Sequence, residues 1–287
     1  MSDKIAYQGE PGANSDIACR EAYPHLAPLP CASFEDAFAA VSSGEASLAM
    51  IPIENSIAGR VADIHHFLPH SGLHIVAEYF LPVHFQLMAP KGATREGLKS
   101  VYSHVHALGQ CRKIVEELQL IAHTAGDTAG AAREVSEWGD STKAALAPWL
   151  AAEIYGLDVL GEDVEDEEHN TTRFIVLSKT PQWPPVGEGQ TITTFIFRVR
   201  NVPAALYKTL GGFATNGVNM TKIESYMVDG EFAATRFLAD VEGHPEEPAL
   251  SRALEELRFF SREVEILGVY PAARFRETNI KAFAFGD

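Results

Sequence analysis

Between Pro181 and Gly189 the chain reads Pro-Gln-Trp-Pro-Pro-Val-Gly-Glu-Gly. The prolines remove backbone N–H donors and fix φ, and the glycines leave the backbone loose, so neither a helix nor a central strand can run through it. The stretch predicts a linker over residues 181–190, with separately folded units on either side. Before it, apolar runs that read as strands (residues 4–7, 48–53, 75–77, 83–89, 101–104, 157–160 and 174–177) alternate with helix-period segments at about 16–23, 34–43, 61–68, 107–118 and 143–155. That alternation means an α/β architecture. After it come a strand (191–200), a helix (203–216), a strand (218–227), a turn at Asp229-Gly230, a strand (232–241), a helix (247–260) and a strand (264–270). The order βαββαβ is the ferredoxin-like split unit. An irregular tail, 273–287, closes the chain.

Charge and composition narrow the partners. A formal net charge of −16 over 287 residues makes nucleic acid and anionic membrane surfaces poor ones. An anionic small molecule would need Arg, Ser, Thr or a helix N-terminus placed locally against that field. Cys19, Cys31 and Cys111 fit neither a zinc spacing nor a disulfide framework. His66 and His70 stand one helical turn apart, but Pro69 and Gly72 interrupt any helix that would join them to His65 and His74, so no metal is expected. His104 and Cys111 give only a weak thiol–imidazole pairing. No basic-then-apolar leader and no run near ~18 apolar residues is visible, which gives a cytoplasmic expectation.

Polar residues gather where strands end. Gln8-Gly9-Glu10-Pro11-Gly12-Ala13-Asn14-Ser15 is a strand-to-helix turn with Asn14 and Ser15 as candidate caps. Glu54-Asn55-Ser56 follows a buried strand, which is where open α/β sheets place ligands. Thr128 is a candidate cap among the small residues Ala129, Gly130, Ala131 and Ala132. After an acidic run, Glu162 to Glu168, Asn170-Thr171-Thr172-Arg173 reads as a turn feeding the buried strand Phe174-Ile175-Val176-Leu177.

Taken in order, the blocks Tyr7 to Ser15, Pro52-Ile53-Glu54-Asn55-Ser56 with Gly59 and Val61, Ala107 to Arg112, Thr128-Ala129 with Ala131-Ala132, and Asn170 to Phe174 resemble prephenate dehydratase. Asn201-Val202-Pro203-Ala204-Ala205-Leu206 and Asn219 to Ser225 look like the two signature segments of an ACT regulatory domain. The resemblance implies a catalytic region over 1–180 of two lobes (about 1–76 with 161–180, and 77–160), built like a type II periplasmic binding protein. It implies an ACT domain over 191–272. The implied reaction converts prephenate to phenylpyruvate, carbon dioxide and water without a cofactor. Thr172 would protonate or hydrogen-bond the leaving hydroxyl, with Asn55, Ser56, Ser103, Thr128, Ala129, Arg173 and Phe174 around the substrate. Arg173 is left either structural or a carboxylate anchor. L-Phenylalanine would act as effector through Ala204, Ala205, Leu206, Asn219, Glu224 and Ser225, and the chain would be a homodimer or homotetramer through the ACT domain. Arogenate as substrate, or a non-catalytic amino-acid sensor, are the alternatives. The family commonly has Ser-His-Pro-Gln where this chain has Ser103-His104-Val105-His106, which puts one polar contact in doubt and leaves Gln110 nearby.

Overall fold

The computed structural model describes residues 3–61, 64–167, 169–200, 202–227 and 234–278. In chain order the elements are β1 (Lys4–Gln8), α1 (Asn14–Ala22), β2 (Ala27–Cys31), α2 (Phe34–Ser43), β3 (Leu48–Asn55), β4 (Gly59–Arg60), α3 (Ile64–Phe67), β5 (His74–Pro82), β6 (Gln86–Ala89) and β7 (Ser100–Ser103). Then come α4 (Val105–Gln110), α5 (Arg112–Glu117), β8 (Ile121–Thr124), α6 (Thr128–Trp138), β9 (Lys143–Ala147), α7 (Trp149–Tyr155), β10 (Asp158–Gly161) and β11 (Thr171–Ser178). The chain ends in β12 (Thr191–Val199), α8 (Ala205–Thr215), β13 (Met220–Met227), β14 (Ala234–Glu242), α9 (Pro248–Phe260) and β15 (Ser261–Pro271). It divides into two compact units, Met1–Val61 with Tyr79–Phe174, and Ala62–Glu78 with Ile175–Asp287.

The first unit is α/β. In one sheet β1 lies parallel between β2 and β3, and β3 neighbours β11. A second sheet has the order β10-β6-β9-β7-β8, with β7 parallel to both β8 and β9. Around the second sheet, Val83, Phe85, Leu87, Val101, Ile114 and Leu146 form one apolar cluster, and Met88 with the alanines of α6, β9 and α7 forms another.

Several expectations are corrected here. The Ala-rich segment 143–155 is not one helix. Residues Lys143–Ala147 are a strand, buried from Ala144 to Ala147, and only the residues after Pro148 are helical. Helix propensity yields to position: β9 pairs with both β6 and β7, and only small side chains admit α6 against it. The single helix expected over 107–118 is two, broken at Cys111. The break has a cause: the Asp166 N–H takes the Gln110 carbonyl at 2.6 Å, and its carboxylate accepts from Arg112 N and Lys113 N, capping α5 anew. A strand at Ala27–Cys31 is hidden by Pro28 and Pro30, which an edge strand tolerates. The turn expected at 170–173 is already strand from Thr171, because Ser56 N pairs with the Thr171 carbonyl at 2.9 Å. The side chains of His65 and His66 lie outside the described residues, as do the turn at Asp229-Gly230, Asn201, Glu168 and the tail from 279.

The second unit shows the βαββαβ order. Its sheet runs β13-β14-β12-β15, antiparallel throughout. Phe195, Phe197, Phe213, Phe237, Leu250, Leu254 and Leu257 pack α8 and α9 on one face of it. The Phe195–Phe213 and Phe197–Phe237 rings stack with centroids 5.8 and 5.1 Å apart. Buried Glu78 of β5 holds Arg276 by two contacts of 2.6 and 2.9 Å, and Thr194 Oγ1 donates to buried Asp240 at 2.6 Å. Gly268 of β15 meets Ile75 of β5 so closely that an added Cβ would stand 2.2 Å from the Ile75 carbonyl oxygen. Gly268→Ala should therefore lower stability by about 2 kcal/mol or more in urea unfolding. Gly211→Ala, where a Cβ meets nothing within 4 Å inside α8, should be neutral or stabilising. Equal midpoints for the two variants would refute this account of the β15–β5 contact.

Candidate active site

The C-terminal ends of β1, β3 and β7, the start of β11 and the N-termini of α1 and α6 border a cavity of about 380 Å3 in the first unit. Gln8, Asn14, Ser15, Asn55, His104, His106, Gln110, Asp127, Thr128, Asn170 and Thr172 give it polar groups, while Pro52, Ala58, Val61, Val83, Phe85 and Phe174 give it an apolar wall. The volume suits a small organic molecule.

Asn55 is the centre of its hydrogen bonding. The Asn55 Oδ1 accepts from Ile57 N at 3.0 Å and Ala58 N at 2.8 Å, which fixes the amide so that Nδ2 faces the other way. That Nδ2 donates to Asn170 Oδ1 at 2.7 Å and to Thr172 Oγ1 at 3.0 Å. Asn170, buried at 3 % exposure, is thereby oriented in turn and donates from Nδ2 to Gln110 Oε1 at 2.8 Å. An amide nitrogen cannot accept, so the Thr172 oxygen is the acceptor of the Asn55 bond. Its own proton is therefore available to the cavity that Thr172 lines. A substrate oxygen there meets a hydroxyl whose donor direction is set.

Alternation along β11 separates its residues. Thr172 and Phe174 line the cavity and Arg173 does not. The Arg173 guanidinium is 3 % exposed, contacts Glu54 Oε1 at 2.8 Å and lies over the Phe80 ring. The geometry thus answers the alternative left open for Arg173 with a structural role. Ser103 is corrected likewise: it is fully buried and donates to the Leu146 carbonyl at 2.6 Å, tying β7 to β9. Ser56 donates to the His169 carbonyl and accepts from Thr171 N, which latches β11 rather than the cavity. Ala129, in the first turn of α6, is fully buried. Thr128 lines the cavity but is not the helix cap; Asp127 is, accepting from Gly130 N at 2.6 Å. At α1 neither Asn14 nor Ser15 caps. The cap position falls to Ala13, which has no side-chain acceptor, so the Asn14 and Ser15 N–H groups are left for a ligand, while those of Asp16 and Ile17 bond the Ala13 carbonyl.

His104, His106, Asp127 and Asn170 join the lining without having been singled out for it. Asp127 directly precedes Thr128, and Asn170 stands two residues before Thr172. His104 and His106 stack with ring centroids 5.0 Å apart, and burial, then the neighbouring His106, lower the His104 pKa. His84, Asp163 and Glu165 bring ligand atoms within 4.8 Å of one another, but they stand outside the cavity lining, and His84 Nδ1 is already bonded to Glu165 Oε1 at 2.6 Å.

In the second unit the six expected effector residues do not share one cavity among the described residues. Asn219 lines a cavity of about 320 Å3 with Gln190, Glu242 and Glu247. Ala204 is exposed, in the left-handed region at φ 60°, while Ala205 and Leu206 pack on the core. Glu224 pairs with Lys222 at 2.8 Å, and Ser225 stands opposite Phe237 in the sheet.

The family model for prephenate dehydratase matches residues 5–182. The chain belongs to the prephenate dehydratase family. It is a lyase. A bifunctional N-acyl-homoserine lactone acylase/prephenate dehydratase of Komagataeibacter europaeus is 54% identical over 95% of this chain and 97% of that protein. Arogenate dehydratase/prephenate dehydratase 1 of Arabidopsis thaliana is 36% identical over 93% of this chain and 72% of that one. Among solved structures, the prephenate dehydratase of Arthrobacter aurescens in complex with L-Phe superposes with a TM-score of 0.86 at 30% identity, covering 98% of this chain and 96% of that one.

Two outcomes follow from the geometry. Asn55→Asp places an acceptor against two oxygens, Asn170 Oδ1 and Thr172 Oγ1, and should reduce dehydratase turnover by about 100-fold or more; near-normal turnover would contradict the orienting role. In an NMR titration, the His104 ring signals should titrate below the ordinary 6.5. The unfolded chain then takes up that proton more readily than the folded one, so this residue's contribution to stability declines as pH falls below 6.5. Titration at or above that pH would contradict the burial account.

Proposed function

We propose that this chain is a prephenate dehydratase in which Thr172 assists departure of the ring hydroxyl. The observation that carries this reading is the Thr172 hydroxyl, held as an acceptor by Asn55 with its proton left to a cavity that no Lys or Arg lines among the described residues. In the reaction, the electron pair of the ring-to-carboxylate bond moves into the ring, carbon dioxide leaves, and the C–O bond opposite breaks. The departing oxygen takes a proton and becomes water. A Thr is a weak acid, so its help comes late, when that oxygen is strongly basic. Neutral donors suit the step, because a salt bridge to the departing carboxylate would stabilise the ground state more than the transition state. The uncapped N-terminus of α1 is an anion site for the carboxylate that stays. Arogenate, which carries an amino group where prephenate has a keto group, is an alternative substrate, supported by the name of the Arabidopsis relative.

Residues 1–180 would form the catalytic region, residues 191–272 an ACT domain that binds L-phenylalanine as inhibitor, and ACT pairing the oligomer. The βαββαβ order of the second unit and the L-Phe complex of the Arthrobacter relative support this reading. A second reading, hydrolysis of N-acyl-homoserine lactones, has the 54% identity of the Komagataeibacter relative and one feature of the site behind it: His104, with its lowered pKa, is a neutral imidazole able to act as base toward water.

The test supplies purified protein with prephenate and follows phenylpyruvate by its absorbance in alkali. Wild type should turn over, L-phenylalanine should slow it, Thr172→Ala should lose about 100-fold or more, and Thr172→Ser should retain most activity. Full activity in Thr172→Ala would overturn the assignment. Release of homoserine lactone from an N-acyl substrate, without phenylpyruvate formation, would favour the second reading.

A further inference from the structure

One charge in the cavity is left over by the reaction as proposed. Asp127 is the only carboxylate among the described residues lining it, and no Lys or Arg among them balances it there. Prephenate is a dianion, so an ionised group in the wall opposes its binding. Capping α6 does not require the charge either, because Asn or Ser caps as well as Asp. The carboxylate is seated with one oxygen committed: Oδ1 accepts from Gly130 N at 2.6 Å, while the Asp127 carbonyl accepts from Ala131 N, and no other donor meets the carboxylate among the described residues. Gly130 makes room for it, since a Cβ there would come within 2.8 Å of Oδ2. The same cavity is bordered by Asn14 and Ser15, the first residues of α1, whose N-cap has no side-chain acceptor. One wall therefore offers an anion acceptor for a carboxylate, and another offers a carboxylate for a cation. That pair is complementary to an α-amino-acid arm, which carries both groups on one carbon.

We propose that Asp127 is a specificity-determining residue that receives the ammonium group of the amino-acid form of the substrate, arogenate, and favours it over the keto form, prephenate. This rests on the dehydratase reading above. The charge that opposes the dianion becomes a charge-assisted hydrogen bond to the amino-acid substrate. His104 and His106 line the same cavity, and Asp127 favours the protonated form of His104. The discrimination is therefore best read at a pH well above 6.5, where the His104 imidazole is neutral and the substrate amine is still charged.

The experiment measures kcat/KM of the full chain for arogenate and for prephenate, in wild type and in Asp127→Asn, at pH 8. Asn keeps the cap, the volume and the polar contact, and removes only the charge. The ratio of arogenate to prephenate kcat/KM should fall by at least about tenfold in the variant, with the arogenate value decreasing and the prephenate value increasing. Asp127→Glu, which restores the charge on a longer arm, should recover part of the preference. An unchanged ratio, however far both values fall, would overturn the proposal, as would a wild type that turns over prephenate and not arogenate. Turnover of neither substrate by wild type would overturn the dehydratase reading and this inference with it; the other two outcomes leave that reading standing.

Discussion

Everything at the site depends on which way one amide faces. Two backbone N–H groups, from Ile57 and Ala58, hold the Asn55 oxygen, so its nitrogen must serve Asn170 and Thr172. The polarity then passes along a chain of partners, each able to act only one way once the previous one is set, from Asn55 through Asn170 to Gln110. A Thr hydroxyl free to rotate would share its proton among several acceptors. One that already accepts from Asn55 keeps its proton for whatever lies in the cavity. The local turn after β3 thereby determines the chemistry of a residue more than a hundred positions away in sequence.

The electrostatics of the cavity follow from what surrounds it. With no Lys or Arg among the described residues of the lining, an anionic substrate is met by neutral donors and by the N-terminus of α1, with the Asp127 carboxylate as an opposing charge. That choice suits a step in which a carboxylate is lost as a neutral gas. The Arg of the motif is spent elsewhere: Arg173 faces the other side of β11, where Glu54 compensates it. Losing Glu54 would remove this contact from a buried guanidinium. Arg173 therefore serves the strand that aims Thr172.

Much of this was legible in the sequence, and the misses have physical reasons. The βαββαβ order and the apolar strand from Phe174 follow from local pattern, because turn chemistry and period-2 alternation are properties of adjacent residues. Asn55, Thr128, Thr172 and Phe174, which line the cavity, fall in the blocks that carry the resemblance to prephenate dehydratase. Ser103 could not be sorted from them, since a hydroxyl at a strand end looks the same whether it meets a ligand or the Leu146 carbonyl. The strand at Lys143–Ala147 is concealed because alanine favours helices in isolation, and its use here answers to the close packing of α6. Asp127 was passed over for Thr128 because both residue types cap helices, and only the backbone at Asp127, extended at φ −151° and ψ 174°, identifies the cap.

The break between α4 and α5 shows how a fold makes a site out of an irregularity. A continuous helix through Cys111 would keep the Gln110 carbonyl for its own ladder. Instead Asp166 takes that carbonyl with its N–H and supplies its carboxylate to the next two N–H groups, Arg112 and Lys113. Three of the groups at the break are thus satisfied by one residue of the acidic segment. Two consequences follow together. The segment leading to β11 is pinned four residues before Asn170, and Gln110 is left at the end of a short helix with its amide oxygen on Asn170 Nδ2 at 2.8 Å. The acidic run before the motif thus looks like a solvated charge cluster in sequence, while in space Asp166 fixes both ends of the bond that orients Asn170. Asn170 is thereby held from both sides, by Asn55 on its oxygen and by Gln110 on its nitrogen.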